Sequence, residues 1–523
     1  MYLKKNIRVL FFALICIALS SSAAYASNII IDNNAGPVGT GLFHTSDYAN
    51  DADCIQEALD YSKSGDTITL IEGDYYVTSR IYEQGKSLNI VGKGNVTIHL
   101  NTAEGEWNGI VLLGNVIGTP ALSSSSSAGS NQVTLKSASS VKAGDFIKIY
   151  KNTQWCPLDY PDQKTGEMYE VKSVSGNTLT LTETLLRDYS SGDSTEISRP
   201  IEVNIKNINI IDSGATTTHE GLVLALCKNG IVEDCTVKDS GFSSMSLYSC
   251  YNITVRKNKI YNSILPGSGY GVAIWSGSAY ISVIDNYIEN CRHAITCNTD
   301  ERISLDRNVY VANNELHGAS IGGSNVVDAH ACTIDMTVSG NTIYPCYKDP
   351  AFADGARIST FENNKVYGGL AAVCRRGSVN DGTHIVQDNY IEDTLVYDGL
   401  NNGIGDTLII KNNIQKGGNY GINFADNESF KNLIISDNEF SNLSYQGYYQ
   451  KFLLSGVNLN ISNNTFENVK LDAIYVDGNS FTPVVVKVQN NTLINVYPSN
   501  SYSGITLKNI QNAYVSGNQI FKN

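Results

Sequence analysis

The feature that most limits what this chain can fold into is a short repeat, apolar-x-x-Asn-x-apolar, recurring every 23 to 28 residues through its C-terminal half. It is read in Val255-Arg-Lys-Asn258-Lys-Ile260, Val283-Ile-Asp-Asn286-Tyr-Ile288 and Val338-Ser-Gly-Asn341-Thr-Ile343, and again in Val515-Ser-Gly-Asn518-Gln-Ile520. The anchoring asparagines are Asn258, Asn286, Asn314, Asn341, Asn364, Asn389, Asn412, Asn438, Asn464, Asn491 and Asn518, with Cys235 in the same place one turn earlier. A period in the twenties, with short alternating strands between Gly and Asn turns, marks a solenoid in which each turn stacks on the last. Helical repeats need longer 3.6-periodic apolar stripes, and none is present. Stacked strands lie about 4.8 Å apart, so the anchors are expected to form a ladder. Asparagine suits that place because it tolerates a left-handed turn and can bond its own backbone there. The ladder residues are therefore structural.

A solenoid needs a cap, because an unpaired first turn exposes strand edges and opens the core. Asp53-Cys-Ile-Gln-Glu-Ala-Leu-Asp60 puts Ile55, Ala58 and Leu59 at helical spacing, and Gly65 can end that helix. Gly65-Asp-Thr-Ile-Thr-Leu-Ile-Glu-Gly-Asp-Tyr75 then starts the strands. This helix followed by a Gly-Asp-Thr-Ile opening and Asn-rich turns resembles the pectate lyase-like superfamily of right-handed parallel β-helix proteins, over most of residues 50–523. The resemblance implies an all-β, right-handed parallel β-helix, with the helix as its N-terminal cap. Residues 27–117 read as the cap and first turns, 118–200 as an inserted β-module, and 201–523 as the main β-helix. The insert breaks the repeat with a Ser-rich connector, Ser123 to Ser127, and hairpin-like runs such as Glu170 to Leu181. Its Trp155, Tyr160 and Tyr169 fit either sugar stacking or a small module core, and the core reading is preferred.

Met1 to Ala26 reads as a cleaved export signal: Lys4, Lys5 and Arg8 precede an apolar run from Val9 to Leu19, and Ala24-Tyr25-Ala26 offers a cleavage site. That run is too short to span a bilayer, which takes about 20 residues. Cys16 lacks the small residues that precede a lipidated cysteine. The expected location is secreted or at the cell surface. A net charge of −14, with few Lys/Arg runs, argues against nucleic acid and anionic membranes as partners. Charged residues are 17% of the chain, leaving a polar, uncharged surface suited to sugars. Ten cysteines outside the leader permit disulfides, but Cys227 and Cys250 occupy matching places in successive repeats and read as stacked core residues.

Rare functional residues gather on one side of the repeat. Asp300, Glu301, Arg302, Asp328, His330, Asp354, Arg357, Arg375, Arg376 and Asp398 fall 14 to 7 residues before the next anchor, on five consecutive turns. Later turns hold mostly Asn, Ser, Gly and aliphatics there, so a groove about 20 Å long is expected. Surface ion pairs between turns are the plain alternative. An acidic polysaccharide is the expected partner, cleaved by β-elimination. That reaction needs a cation for the uronate carboxylate, a base for the proton beside it and a donor to the leaving oxygen. Arg375, Arg376 or His330 would be the base, with Asp300 among the catalytic candidates. Arg302 and Arg357 would hold carboxylates, with Asp328 and Asp354 also facing substrate. Calcium, which the resemblance brings with it, would fall to Asp300, Asp328 and Asp354, though no contiguous calcium loop is present.

Hydrolysis needs two carboxyl groups. Asn298-Thr-Asp300 resembles the first motif of polygalacturonase-like hydrolases, but the later motifs are missing. Asp328-Ala-His330 resembles part of the motif of β-helix mannuronan epimerases, without its proline and second aspartate. His293 and His384 lie at other offsets and read as structural. A non-catalytic adhesive rod remains open, self-associating through the repeat that closes at Ile520; a rod has no use for the charge cluster.

Overall fold

The computed structural model describes residues 27–522 apart from 34–38, 104, 106, 156–162, 300, 302, 331, 346–347, 355–357, 377–381, 401–402, 425–427, 454–455, 479–483 and 497–502. The leader thus lies outside the described residues, as do Cys156, Tyr160 and Cys346. The chain is a parallel β-helix. Each turn gives two strands to a 30-stranded sheet and one to a 14-stranded sheet. One turn runs Tyr251–Arg256, Lys259–Tyr261 and Tyr270–Trp275, then returns to the first sheet at Ala279–Ile284. Register is kept for many turns: Val255, Val283, Val311 and Val338 stand above one another, as do Ile260, Ile288, Leu316 and Ile343. These residues form one continuous core, because every second strand residue points inward.

The ladder runs inside the solenoid wall. Asn286 Oδ1 accepts the backbone N–H of Asn258 at 2.9 Å and its side-chain amide at 3.0 Å, and the pattern repeats from turn to turn as far as Asn518. The second amide proton goes to a carbonyl of the turn before, as from Asn258 to Val232 at 2.9 Å. Two details differ from the expectation. The left-handed backbone belongs to the preceding residue, such as Asp285 (φ 56) or Asn363 (φ 55), while the buried asparagine bonds the neighbouring turns. The anchor expected at Asn412 is Asn413: Asn412 takes the turn at φ 55, and Asn413 bonds Asn438 at 2.9 Å.

The cap helix spans Asp51–Tyr61, and the side chain of Asn50 accepts the Asp53 N–H at 3.0 Å. Ala52, Cys54, Ile55, Ala58 and Leu59 bury its inner face over the first turns. It stops at Tyr61, before Gly65 is reached, with Ser62 extended.

The insert is a six-stranded antiparallel sheet, from Asn115–Gly118 to Ser194–Arg199, with its own core of Ile147, Ile149, Tyr169, Val171, Leu179 and Leu181. Tyr169 is part of that core. Trp155 instead packs on Leu305, Cys332 and Ile334 of the solenoid, under the Arg187 guanidinium at 4.4 Å. Glu183 clamps the insert to three turns: it receives Arg307 at 2.8 and 2.9 Å, Tyr251 at 2.7 Å, and the Tyr280 hydroxyl. Among the described residues no cysteine forms a disulfide. Cys227 and Cys250 stack in the core, their thiols directed at the carbonyls of Leu112 and Leu224.

Candidate functional site

The outer face of the 14-stranded sheet carries the site. Two strand residues apart means the same face, so register alone sets a file of side chains along the axis. Thr296, Asp328, Phe352, Cys374, Asp398, Asn423, Tyr449 and Tyr475 stand one above another on it. Towards the N-terminus the face is aromatic: Tyr248 and Trp275 stack at 5.7 Å, and Trp107 and Tyr270 join them. Between this cluster and the insert lies a cleft of about 330 Å³, lined by Trp107, Tyr248, Glu196 and Glu301. Lys148 of the insert pairs with both glutamates.

At the far edge of that cluster, Asp328 sits between two imidazoles. His330 Nε2 is 2.8 Å from Asp328 Oδ2, and His293 Nε2 is 3.3 Å from the same oxygen. Asn325 donates to Oδ1 at 3.1 Å. His293 is buried against Tyr270, and its Nδ1 lies 2.8 Å from the Asn325 carbonyl, so Nδ1 carries the proton there. Burial lowers the His293 imidazole to about 4, the nearby Asp328 opposing this and the Arg292 guanidinium adding to it. Burial alone would raise the Asp328 carboxyl, but the two imidazoles and the bonds from His330 and Asn325 outweigh it and hold the carboxyl below the usual range. His330 is the member that reaches solvent, its side chain 19% exposed against 3% for Asp328. The arrangement is a buried carboxylate orienting a partly exposed imidazole, which is what a general base requires.

The other predicted residues are distributed differently. Arg375 is not on this face: it follows Cys374 and stands in register with Ala353 and Gly399. Those small neighbours leave room for its side chain, which is 1% exposed with the guanidinium 5.0 Å above the Phe430 ring. That interior place corrects its expected role as base. Asp354 and Arg376 are adjacent in register, but only their backbone is described. Asp300, Arg302 and Arg357 lie outside the described residues. Of the three aspartates expected to hold calcium, Asp328 accepts from His330 at Oδ2 and from Asn325 at Oδ1, while Asp300 and the side chain of Asp354 lie outside the described residues. Among the described residues no His, Cys, Asp and Glu grouping could hold a metal ion.

Sequence reasoning passed over Arg292, Asn325 and Asp349, and read His293 as structural. The Arg292 guanidinium lies over Gly323, where an added methyl would come within 3.3 Å of it, so a cation flanks the cluster. Asp349 accepts the Ala371 N–H at 3.0 Å; burial, and then the charge of Asp398, raise its carboxyl to about 6. The signal for His293 was its place on the strand directly before that of Asp328, which counting back from the asparagine anchors obscured.

Residues 189–336 and 326–451 match the family described as right handed beta helix region. The chain belongs to the right-handed β-helix family. This β-helix is similar in fold to the tailspike gp61 of Pseudomonas phage phi297, with a TM-score of 0.61 and 16% identity over 86% of this chain and 74% of that one. It is similar to the gp54 tailspike of Acinetobacter baumannii bacteriophage AP22, solved in complex with A. baumannii capsular saccharide, with a TM-score of 0.56 and 17% identity over 87% and 73%. A capsule K1-specific depolymerase of Klebsiella phage K64-1 is 24% identical over 197 residues, 34% of this β-helix and 21% of that protein. The β-helix therefore matches about a fifth of that relative's length. Among the described residues no helix is long and apolar enough to cross a membrane.

Proposed function

We propose that the chain acts outside the cell on an acidic polysaccharide, cleaving it by β-elimination at His330. The observation that carries the reading is the Asp328–His330 pair, a buried carboxylate 2.8 Å from an imidazole on the outer sheet face. The Nε2–H given to Asp328 makes Nδ1 the basic nitrogen of His330. His330 takes the proton beside the uronate carboxylate; the electrons of that C–H bond form the new C=C bond as the glycosidic C–O bond breaks. The imidazolium returns the proton to the departing oxygen. Arg292 is assigned the carboxylate, with Arg302, Arg357 and Arg376 as further candidate cations from the sequence. The export leader read at residues 1–26 takes the chain to where such polymers lie. Support comes from the fold shared with a tailspike solved with a capsular saccharide, and from the likeness to a Klebsiella phage depolymerase specific for a capsule.

The test is incubation of the purified protein with a panel of acidic polysaccharides, following ultraviolet absorbance of the unsaturated uronate alongside a reducing-end assay. Absorbance that rises with the native chain and not with His330→Ala supports elimination. Reducing ends without absorbance move the chemistry to hydrolysis, with Asp349 and Asp398 as the carboxyl pair. Silence in both assays across the panel favours the adhesive rod.

A further inference from the structure

Beyond the Asp328 cluster, the same face carries a second built feature, three strands further along. Asp398 is three register steps from Asp328, so the two are about 14 Å apart along the axis. Asp398 lines an open cleft of about 460 Å³ with Asp393, Thr394, Asn419, Tyr420 and Asn423. Asn423 donates to Asp398 Oδ1 at 2.7 Å, which fixes the carboxylate at the cleft wall. Tyr420 stacks on Tyr445 at 5.0 Å and leans on Tyr449 at 5.6 Å, and Tyr449 in turn stacks on Tyr475 at 5.3 Å. Four rings from three successive turns thus form a platform beside a set of hydroxyl, amide and carboxylate groups.

The chemistry of this cleft differs from that of the Asp328 cluster. Its described lining holds two carboxylates and neither lysine nor arginine. An anionic sugar there would meet the like charge of Asp393 and Asp398, a cost that falls most heavily where the local dielectric is low. A neutral sugar meets no such penalty: its C–H face lies on tyrosine rings, while its hydroxyls donate to a carboxylate and accept from an amide. The nearby Asp349, buried against Asp398, adds to the acidic character of the wall.

We infer that the Asp398–Asn423–Tyr420 cleft is a subsite for an uncharged pyranose unit of the polymer, a few sugar units along the chain from the uronate cleaved at His330. This rests on the reading of the face as a polysaccharide groove, and makes the substrate a heteropolymer in which neutral units alternate with acidic ones.

The experiment is saturation-transfer difference NMR of the intact protein with glucose, galactose, mannose, N-acetylglucosamine, N-acetylgalactosamine and rhamnose, each singly, and with glucuronate as the anionic control. At least one neutral sugar is expected to give signal that weakens about tenfold in Tyr420→Ala and in Tyr449→Ala, and persists in His330→Ala. Two tyrosine variants guard against one that folds poorly. The inference is overturned if none of the six sugars gives signal, if the signal is indifferent to both tyrosines, or if glucuronate shows the stronger tyrosine-dependent signal. Loss of elimination chemistry leaves this result untouched, so the two readings fail separately.

Discussion

Asp328 Oδ2 lies 2.8 Å from His330 Nε2, although the two residues are neighbours but one in the chain. The period-2 alternation of a strand puts both on the outer face, and burial of the first holds the second in one orientation. Asp328→Asn keeps the shape and reverses the hydrogen bond. It is expected to lower kcat by about 10²- to 10⁴-fold with little change in KM, the range typical of general-base removal. Steady-state kinetics on the active polysaccharide check this, and an unchanged kcat would take the pair out of the chemistry.

His293 and Asp349 titrate in opposite senses. His293 has a folded pKa of about 4, against about 6.5 unfolded, so between those values only the unfolded chain binds the proton and stability falls as pH falls. Asp349 is raised to about 6 from about 3.9, so the folded chain keeps its proton longer and stability rises as pH falls through that window. Each effect is worth about 3 kcal/mol, and they largely cancel in the native chain. His293→Gln leaves the Asp349 effect and should gain in relative stability on acidification from about pH 6.5 to 4, whereas Asp349→Asn should lose. Melting temperatures of the two variants across that range check the sign, and parallel curves would contradict it.

In the ladder, Asn364 donates to Val338 and Asn389, and accepts both the backbone and the side-chain amide of Asn341. Asn364→Ala strands several buried groups at once, each costing about 1–3 kcal/mol. Asn363, with φ 55, needs only a residue that accepts the left-handed backbone, so Asn363→Gly should cost under about 1 kcal/mol. Urea unfolding of both variants separates the roles; equal losses would mean that the ladder adds nothing beyond its turn.

Arg375→Ala is expected to destabilise the solenoid by about 3 kcal/mol through the space left between Ala353 and Gly399. Activity per folded molecule should stay within about twofold, because the side chain does not reach the outer face. Chemical denaturation combined with active-site-normalised rates decides, and a large loss of kcat in stable protein would restore Arg375 to the chemistry.

The repeat made the fold legible because strands, turns and anchors recur in every turn, so errors at single positions average out. The site had no such redundancy. Counting back from an asparagine anchor locates a turn to within a residue or two, but a one-residue slip moves a strand side chain from one face to the other. That slip separates Asp328, which lies on the outer face, from Arg375, which lies inside. It also separates Asn412 from Asn413, where two adjacent asparagines offer the same letter for opposite roles. Asp349 and Tyr420 carry no motif at all. Their roles come from neighbours on other turns, which the sequence places far away.

The insert has a consequence for how the chain assembles. Asn204 pairs with Asn89 across 115 residues, whereas later turns close over a span in the twenties. A loop that much longer costs about 1.3 kcal/mol more to close. Yet the first and last strands of the insert, Asn115–Gly118 and Ser194–Arg199, pair directly, with Arg199 opposite Asn115. Once that sheet has formed, the gap between the flanking turns shrinks to the length of an ordinary coil. The insert thus acts as a splice: with its own sheet formed, the seam between the N-terminal turns and the rest closes at about the cost of an ordinary turn.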